Sequence, residues 1–295
     1  FQLLFGWPFW AGILFGTVFS TIYVSIGGFK ALVRNDLLQF GLMFLGFILL
    51  FVFLSAEFGG LTFIQSGVPE AHLTWDGGRT AWAIAVWYII ALTTLIEPAF
   101  FQRCYAAKSP QVARNGILIS IACWAVFDFL TTSCGLYARA LLPNLSDPVA
   151  SFPALAQQYL PVGIAGLFSV AMLATVMSTV DSYSFIAAST FSNDILGRLR
   201  PFPEHQITRW TRIGLAVSTV IAVGFGLMFH SAVDIWYVFG SVGAPALLVP
   251  MLTSFVGRRR LPARWAFISI LASGGLSLAW QLSSYRAVGE TWFGI

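Results

Sequence analysis

Charge is what this sequence has least of: Asp, Glu, Lys and Arg together make up 9% of its residues, where an ordinary soluble domain carries about 25%. With 58% hydrophobic residues and a mean hydropathy of +0.81, the chain has too little polar surface to cover itself in water, which excludes a soluble globular protein. Cysteine is nearly absent too. Cys104, Cys123 and Cys134 lie within or beside apolar segments, without the spacings of a zinc site, a haem attachment or a disulfide framework, and are read as reduced packing residues. His72, His205 and His230 are isolated from one another. The chain has no P-loop, H-E-x-x-H, G-x-S-x-G or dinucleotide fingerprint, so no enzyme is expected. The net charge of +4 does not indicate nucleic acid, because the basic residues sit in short loops instead of one patch interleaved with aromatics. The chain opens Phe1-Gln2-Leu3 with neither a Met nor a basic region followed by a cleavage site, and is expected to be a fragment without a signal peptide.

What is present in abundance is apolar length. A bilayer core requires about 20 mostly apolar residues per helix, because only a helix satisfies its own backbone groups there. Eight segments qualify: Trp7 to Ile26, Leu37 to Leu54, Ala81 to Phe101, Ile117 to Leu141, Val162 to Ala188, Ile213 to Phe229, Ile235 to Val256 and Trp265 to Leu282. The fold class expected is all-α, a polytopic membrane protein forming a single transmembrane domain over 1–295. Of the 16 basic residues, all but Arg79, Arg139 and Arg286 fall on alternate loops. That bias places those loops in the cytoplasm and both ends of the chain outside. Between Asp147 and Tyr159, the residues Val149, Phe152, Leu155, Ala156 and Tyr159 fall near one helical face. They predict a short amphipathic helix over the outer mouth, as packing cover or as a moving lid.

Ionisable and hydroxyl residues inside such helices are the candidates for chemistry. In the fifth segment Thr175, Ser178, Thr179 and Ser182 recur at i, i+3, i+4 and i+7 and share one face. Their oxygens offer hard ligands for a small alkali cation; the competing reading is that they bond carbonyls one turn back and ease helix packing. Asp181 lies beside them, and an acid in a membrane helix by default marks a cation or proton pathway, or else is a protonated group bonded to a neighbouring helix. Asp128, deep in the fourth segment, is open to the same readings. In the third, Glu97-Pro98 removes a backbone donor where a charge appears, so a local break is expected. Glu97 is there either on the substrate pathway or paired with Arg103 or another base. Arg103, Lys108 and Arg114 are read as topology determinants.

Three stretches together resemble the sodium:solute symporter family. Gly27-Gly28-Phe29-Lys30-Ala31 with Asn35-Asp36 and Gln39 looks like its glycine-glycine-x-lysine-alanine loop. Gln102-Arg103-Cys104-Tyr105-Ala106-Ala107-Lys108 is similar to its glutamine-arginine motif. Met177-Ser178-Thr179-Val180-Asp181-Ser182, followed by Ala188-Ser189-Thr190-Phe191-Ser192-Asn193-Asp194-Ile195, looks like its most recognisable segment. The resemblance implies a LeuT-type inverted-repeat helical bundle, here partial, with the end of the first repeat at about 1–56, the second repeat at 79–256 and an additional helix at 262–284. The remaining core helices, with half of the sodium ligands, would lie outside this chain. It implies a Na⁺ site at the Thr175 carbonyl and the Ser178 and Thr179 hydroxyls, and a second cation or proton site near Asp181 and Ser182. Thr175 stands where relatives often have alanine, and Glu97-Pro98 where they have an aspartate or asparagine followed by glutamine. The function expected is sodium-coupled symport of a small organic solute across the plasma membrane, the inner membrane in a bacterium. Na⁺, the solute and the lipid bilayer would be its partners, and no oligomer is implied. The alternatives are proton coupling through Asp181 and a symporter-like sensor module of a signalling protein.

Overall fold

The computed structural model describes residues 6–199, 202–228, 232–255 and 261–283. Helices are α1 (Phe9–Phe58), α2 (Leu61–Gly67), α3 (Ala81–Ala91), α4 (Pro98–Tyr105), α5 (Pro110–Leu141), α6 (Ser151–Tyr159), α7 (Val162–Ser189), α8 (Ile207–Met228), α9 (Ala232–Phe255) and α10 (Ala263–Leu282); no strand occurs among the described residues. Five helices, α1, α5, α7 with its continuation to Leu199, α8 and α10, are long and apolar enough to cross a membrane; the bent pair Ala81–Ile96 and Pro98–Tyr105 makes up to a sixth, and α9 contributes the apolar run Phe239–Phe255. Large apolar side chains such as Ile26, Leu37, Val162 and Val220 are exposed along them, as lipid contact requires. The protein is a multi-pass helical membrane protein.

The first two expected spans are continuous in α1, whose one non-helical residue is Gly28, at φ 61° and ψ −168°. This is a conformation essentially reserved for glycine. It is a fold-back and not a slight bend. Ser20 and Gln39, on opposite sides of Gly28, both bond Asp181, whereas along a straight helix they would stand roughly 28 Å apart. No atom would meet a Cβ at Gly28, so Gly28→Ala should destabilise through backbone strain alone, by about 1–3 kcal/mol. A lower melting temperature for the variant in detergent checks this; an unchanged one contradicts the fold-back.

The chain forms two compact units. One comprises residues 1–72 and 102–227, the other 73–101 and 228–295. In the first unit, two apolar clusters are separated along α7 by a polar layer. The larger joins Phe47, Leu50 and Leu54 of α1, Leu130, Cys134 and Tyr137 of α5, Leu155 of α6 and Phe168 of α7. Phe47 lies against the rings of Phe127, Phe152 and Phe168, at centroid distances of 5.1, 5.2 and 5.3 Å. The Tyr137 hydroxyl donates to the Gly59 carbonyl at 2.7 Å, which satisfies a polar group that would otherwise be stranded. The amphipathic helix expected before Tyr159 is α6, which buries Pro153, Leu155 and Ala156 while Val149 before it is exposed. The smaller cluster is Val24, Leu32, Ala188 and Leu215.

In the second unit, α3 tightens into a 3₁₀ turn over Leu92–Ile96 and leaves helical geometry at Glu97 (ψ 112°), with a 40° bend to the next helix. The break expected at Glu97-Pro98 is therefore present. In the same unit Phe101 stacks on Phe255 at 5.8 Å.

Candidate functional site

The polar layer is assembled from α1, α4 and α7. Asp181 of α7 has no solvent-exposed surface, and four neutral donors converge on its carboxylate. Ser20 Oγ donates to Oδ1 at 2.5 Å, while the Tyr23 hydroxyl, Asn35 Nδ2 at 3.2 Å and Gln39 Nε2 at 3.3 Å serve Oδ2. Both limbs of α1 contribute because Gly28 folds it back. Ser20 and Tyr23 lie three residues apart on one limb and Asn35 and Gln39 four apart on the other, so each pair shares a face. A buried charge needs this kind of partnering, since stripping a carboxylate of hydration without hydrogen bonds is prohibitive.

One residue further, Ser182 accepts from Arg103 Nη2 at 2.7 Å, and the same guanidinium pairs with Asp36 Oδ2 at 2.6 Å. The side chains of Arg103 and Asp36 are 35% and 20% exposed, so this pair is desolvated more than a surface bridge and holds α4 to α1 and α7. Asp36, Gln39, Arg103, Ser178, Thr179 and Ser182 line a cavity of about 300 Å³.

Two of the sodium candidates, Ser178 and Thr179, sit on this wall. Ser178 Oγ donates to the Thr175 carbonyl at 2.9 Å and Thr179 Oγ1 to the same carbonyl at 3.3 Å, the bonds to a carbonyl one turn back that the packing reading expects, and they also gather the three oxygens at one place on the helix. Ser178, Thr179 and Ser182 line the cavity, and the fully buried Asp181 does not. The Thr175 hydroxyl is turned back onto the Ala171 carbonyl at 2.9 Å, leaving only its main-chain oxygen for the group. Clustered neutral oxygens beside a carboxylate suit a monovalent hard cation, which needs partial replacement of its hydration shell and little formal charge.

The other two candidates lie elsewhere. Asp128 is exposed on α5, where its carbonyl accepts from Thr131 Oγ1 at 3.2 Å, and it does not line the cavity. Glu97 belongs to the second unit and accepts the Ala99 N–H at 3.3 Å, capping the start of α4. Arg103 pairs with Asp36. Arg103, read from the sequence as a topology determinant, is thus part of the site. Also unforeseen were Ser20 and Tyr23, together with the roles of Asn35, Asp36 and Gln39. Their signal is the recurrence of polar residues at helical spacing in otherwise apolar segments.

A helical bundle with apolar outer faces built around a cluster of ionisable and hydroxyl groups is the kind of architecture membrane transporters use. Comparison with known proteins gives the family: residues 1–272 match the model of the Sodium:solute symporter family, and the chain belongs to it. It is 27% identical over 224 residues to the sodium/pantothenate symporter of Escherichia coli, covering 73% of this chain and 46% of that protein. It is 26% identical to the human sodium-coupled monocarboxylate transporter 1, covering 84% of this chain and 46% of the relative. It is 26% identical to the osmoregulated proline transporter OpuE of Bacillus subtilis, covering 85% and 54%. The chain thus spans about half the length of the curated relatives it matches.

Proposed function

We propose that the full-length protein carries out sodium-coupled symport of a small organic solute across the plasma membrane by alternating access. The observation that carries this reading is that the Ser178, Thr179 and Ser182 hydroxyls line one cavity together with the Asp36 carboxylate. Na⁺ held there by the Thr175 carbonyl and the Ser178 and Thr179 hydroxyls stabilises one conformation of the bundle over another, and its differential affinity for the two states is what couples its downhill entry to solute uptake. The names of the relatives, which include pantothenate, monocarboxylate and proline transporters, support a small organic solute as cargo. The repeat assignment retained for this reading places 1–56 in the first inverted repeat, 79–256 in the second and 262–284 in an additional helix.

Its test is uptake by full-length protein in proteoliposomes under an inward Na⁺ gradient. Pantothenate, lactate and proline serve as the first solutes. Replacing both hydroxyls, Ser178→Ala with Thr179→Ala, should raise the Na⁺ concentration for half-maximal uptake at least about tenfold, equivalent to one lost charge-assisted ligand. An unchanged Na⁺ requirement in the double variant refutes the site.

A second reading, proton coupling, is favoured by one observation: Asp181 is fully buried with the Ser20 and Tyr23 hydroxyls directly on its carboxylate. It requires uptake driven by a pH gradient with Na⁺ absent. Separate ion gradients in the same vesicles decide between the two.

A further inference from the structure

We propose that the corner where the α1 fold-back packs against α7 and α8 binds the headgroup of an anionic phospholipid from the surrounding bilayer. This surface is separate from the ion site and does not depend on the transport reading.

The fold brings basic stretches that are distant in sequence to one place. Val24 and Leu32, on either side of the fold-back, bury against Ala188 of α7 and Leu215 of α8, with Phe29 against Phe185 at 5.7 Å. Arg212 Nε of α8 donates to the Ser25 carbonyl at 3.0 Å, and the Ser192 and Thr211 hydroxyls bond at 3.1 Å. A Cβ at Gly214 would stand 2.8 Å from the Ala188 carbonyl oxygen, so α7 and α8 meet backbone to backbone. The segments joined in this way, 24–34 and 188–215, carry Lys30, Arg34, Arg198, Arg200, Arg209 and Arg212 against Asp194 and Glu204.

Charge and surface together identify the occupant. Lys30, Arg34, Arg198, Arg209 and Arg212 are exposed, and none of them takes part in an ion pair among the described residues. Lys30 and Arg34 are four residues apart and Arg209 and Arg212 three, so each pair shares a helical face. A phosphodiester accepts the paired N–H donors that a guanidinium offers. The bases are also bordered by bare apolar side chains: Ile26 stands one turn before Lys30, Leu37 one turn after Arg34, and Leu199 beside Arg198, each more than 70% exposed. A free anion would leave these uncovered, whereas a phospholipid brings acyl chains to them. The basic loops mark this end as cytoplasmic, and anionic lipids populate that leaflet. A headgroup bridging α1 and α8 acts beside the Arg212 bond to Ser25 and clamps the fold-back.

The experiment measures lipid binding to full-length protein purified in neutral detergent and stripped of native lipid. Phosphatidylglycerol and phosphatidylcholine bearing the same fluorescent acyl chain are titrated in, with anisotropy as the readout. Wild type should prefer phosphatidylglycerol at least about tenfold, and added salt should narrow the gap. Lys30→Gln with Arg34→Gln, and separately Arg198→Gln with Arg209→Gln, should each weaken phosphatidylglycerol binding at least about tenfold, at about fivefold per base, and leave phosphatidylcholine unaffected. Lys108→Gln with Arg114→Gln removes the same charge from exposed positions on another basic loop, and should change binding by no more than about twofold. Inorganic phosphate in excess over the lipid should not displace it. Equal losses from all three pairs would show a diffuse field in place of a site. That result, no preference in wild type, or displacement by inorganic phosphate overturns the proposal. The melting temperature without lipid identifies a variant that misfolds, and because the two corner pairs lie on different elements, either one carries the test.

Discussion

Replacing Asp181 by alanine should unfold the polar layer more severely than any other single polar substitution in the protein. The carboxylate is the common acceptor for Ser20, Tyr23, Asn35 and Gln39, and Ser20 and Gln39 are themselves buried. Without it, up to four donors in a low-dielectric interior lose their partner at once, each at about 1–3 kcal/mol unless water enters to replace it. The loss also loosens both limbs of α1 from α7, because these bonds help tie the folded-back helix to the segment bearing Ser178 and Thr179, beside the packing of Phe47 on Phe168 and of Gly46 on Ala171. Asp181→Asn keeps one carbonyl oxygen and the shape of the side chain, and should retain part of the stability while its amide hydrogens face donors. Ser20→Ala removes one donor and leaves the carboxylate served by three, so it should matter least. The melting temperature in detergent should fall in the order Asp181→Ala, Asp181→Asn, Ser20→Ala, with the largest drop first. An Asp181→Ala protein as stable as wild type would mean the four contacts do not organise the layer.

The part of this site visible in the sequence was the part whose geometry is local. Hydroxyls at i, i+3 and i+4 must share a helical face whatever surrounds them, and this is why Thr175, Ser178 and Thr179 could be grouped without a structure. Glu97-Pro98 forecasts its own break, since proline removes a donor and disfavours helical geometry in the residue before it. The partners of Asp181 were not visible, because Ser20 and Asn35 lie 161 and 146 residues away in the chain and nothing local distinguishes them from packing residues. The role of Gly28 was half visible. The glycine pair was legible as part of a loop between the first two segments, but α1 resumes at once as a folded-back limb, which depends on where Asp181 draws Ser20 and Gln39 together. Arg103 misled for a physical reason. A base near the cytoplasmic end of a helix serves topology and ion pairing alike, and only the position of Asp36 shows that it does the second.

Gly46 should prove as sensitive as Asp181, although it carries no chemistry. It is buried on the second limb of α1, and a Cβ built there would stand 2.4 Å from the Ala171 Cβ of α7, with Phe168 Cδ2 at 3.5 Å. Small residues on facing helices let backbones approach closely, and in a bilayer that close packing supplies much of the association free energy because lipid is as apolar as leucine. Ala171 has no rotamer with which to yield and is fully buried, so Gly46→Leu must push the helices apart. Overpacking of this kind costs about 1–3 kcal/mol, with a whole isobutyl group at the upper end or beyond. The consequence reaches the site, since Gln39 lies two turns along the same limb and Asp181 is carried by the same α7. Separating the helices at Gly46 lengthens bonds that already stand at 3.2 and 3.3 Å. Gly46→Leu should therefore lower the melting temperature and raise the Na⁺ requirement for uptake together. Gly41→Leu, at an exposed position of the same helix with open space around its Cβ, should do neither. Equal effects from the two substitutions would show that helix propensity and not the α1–α7 contact governs this region, and a loss of stability at Gly46 without any change in Na⁺ requirement would uncouple the packing face from the ion site.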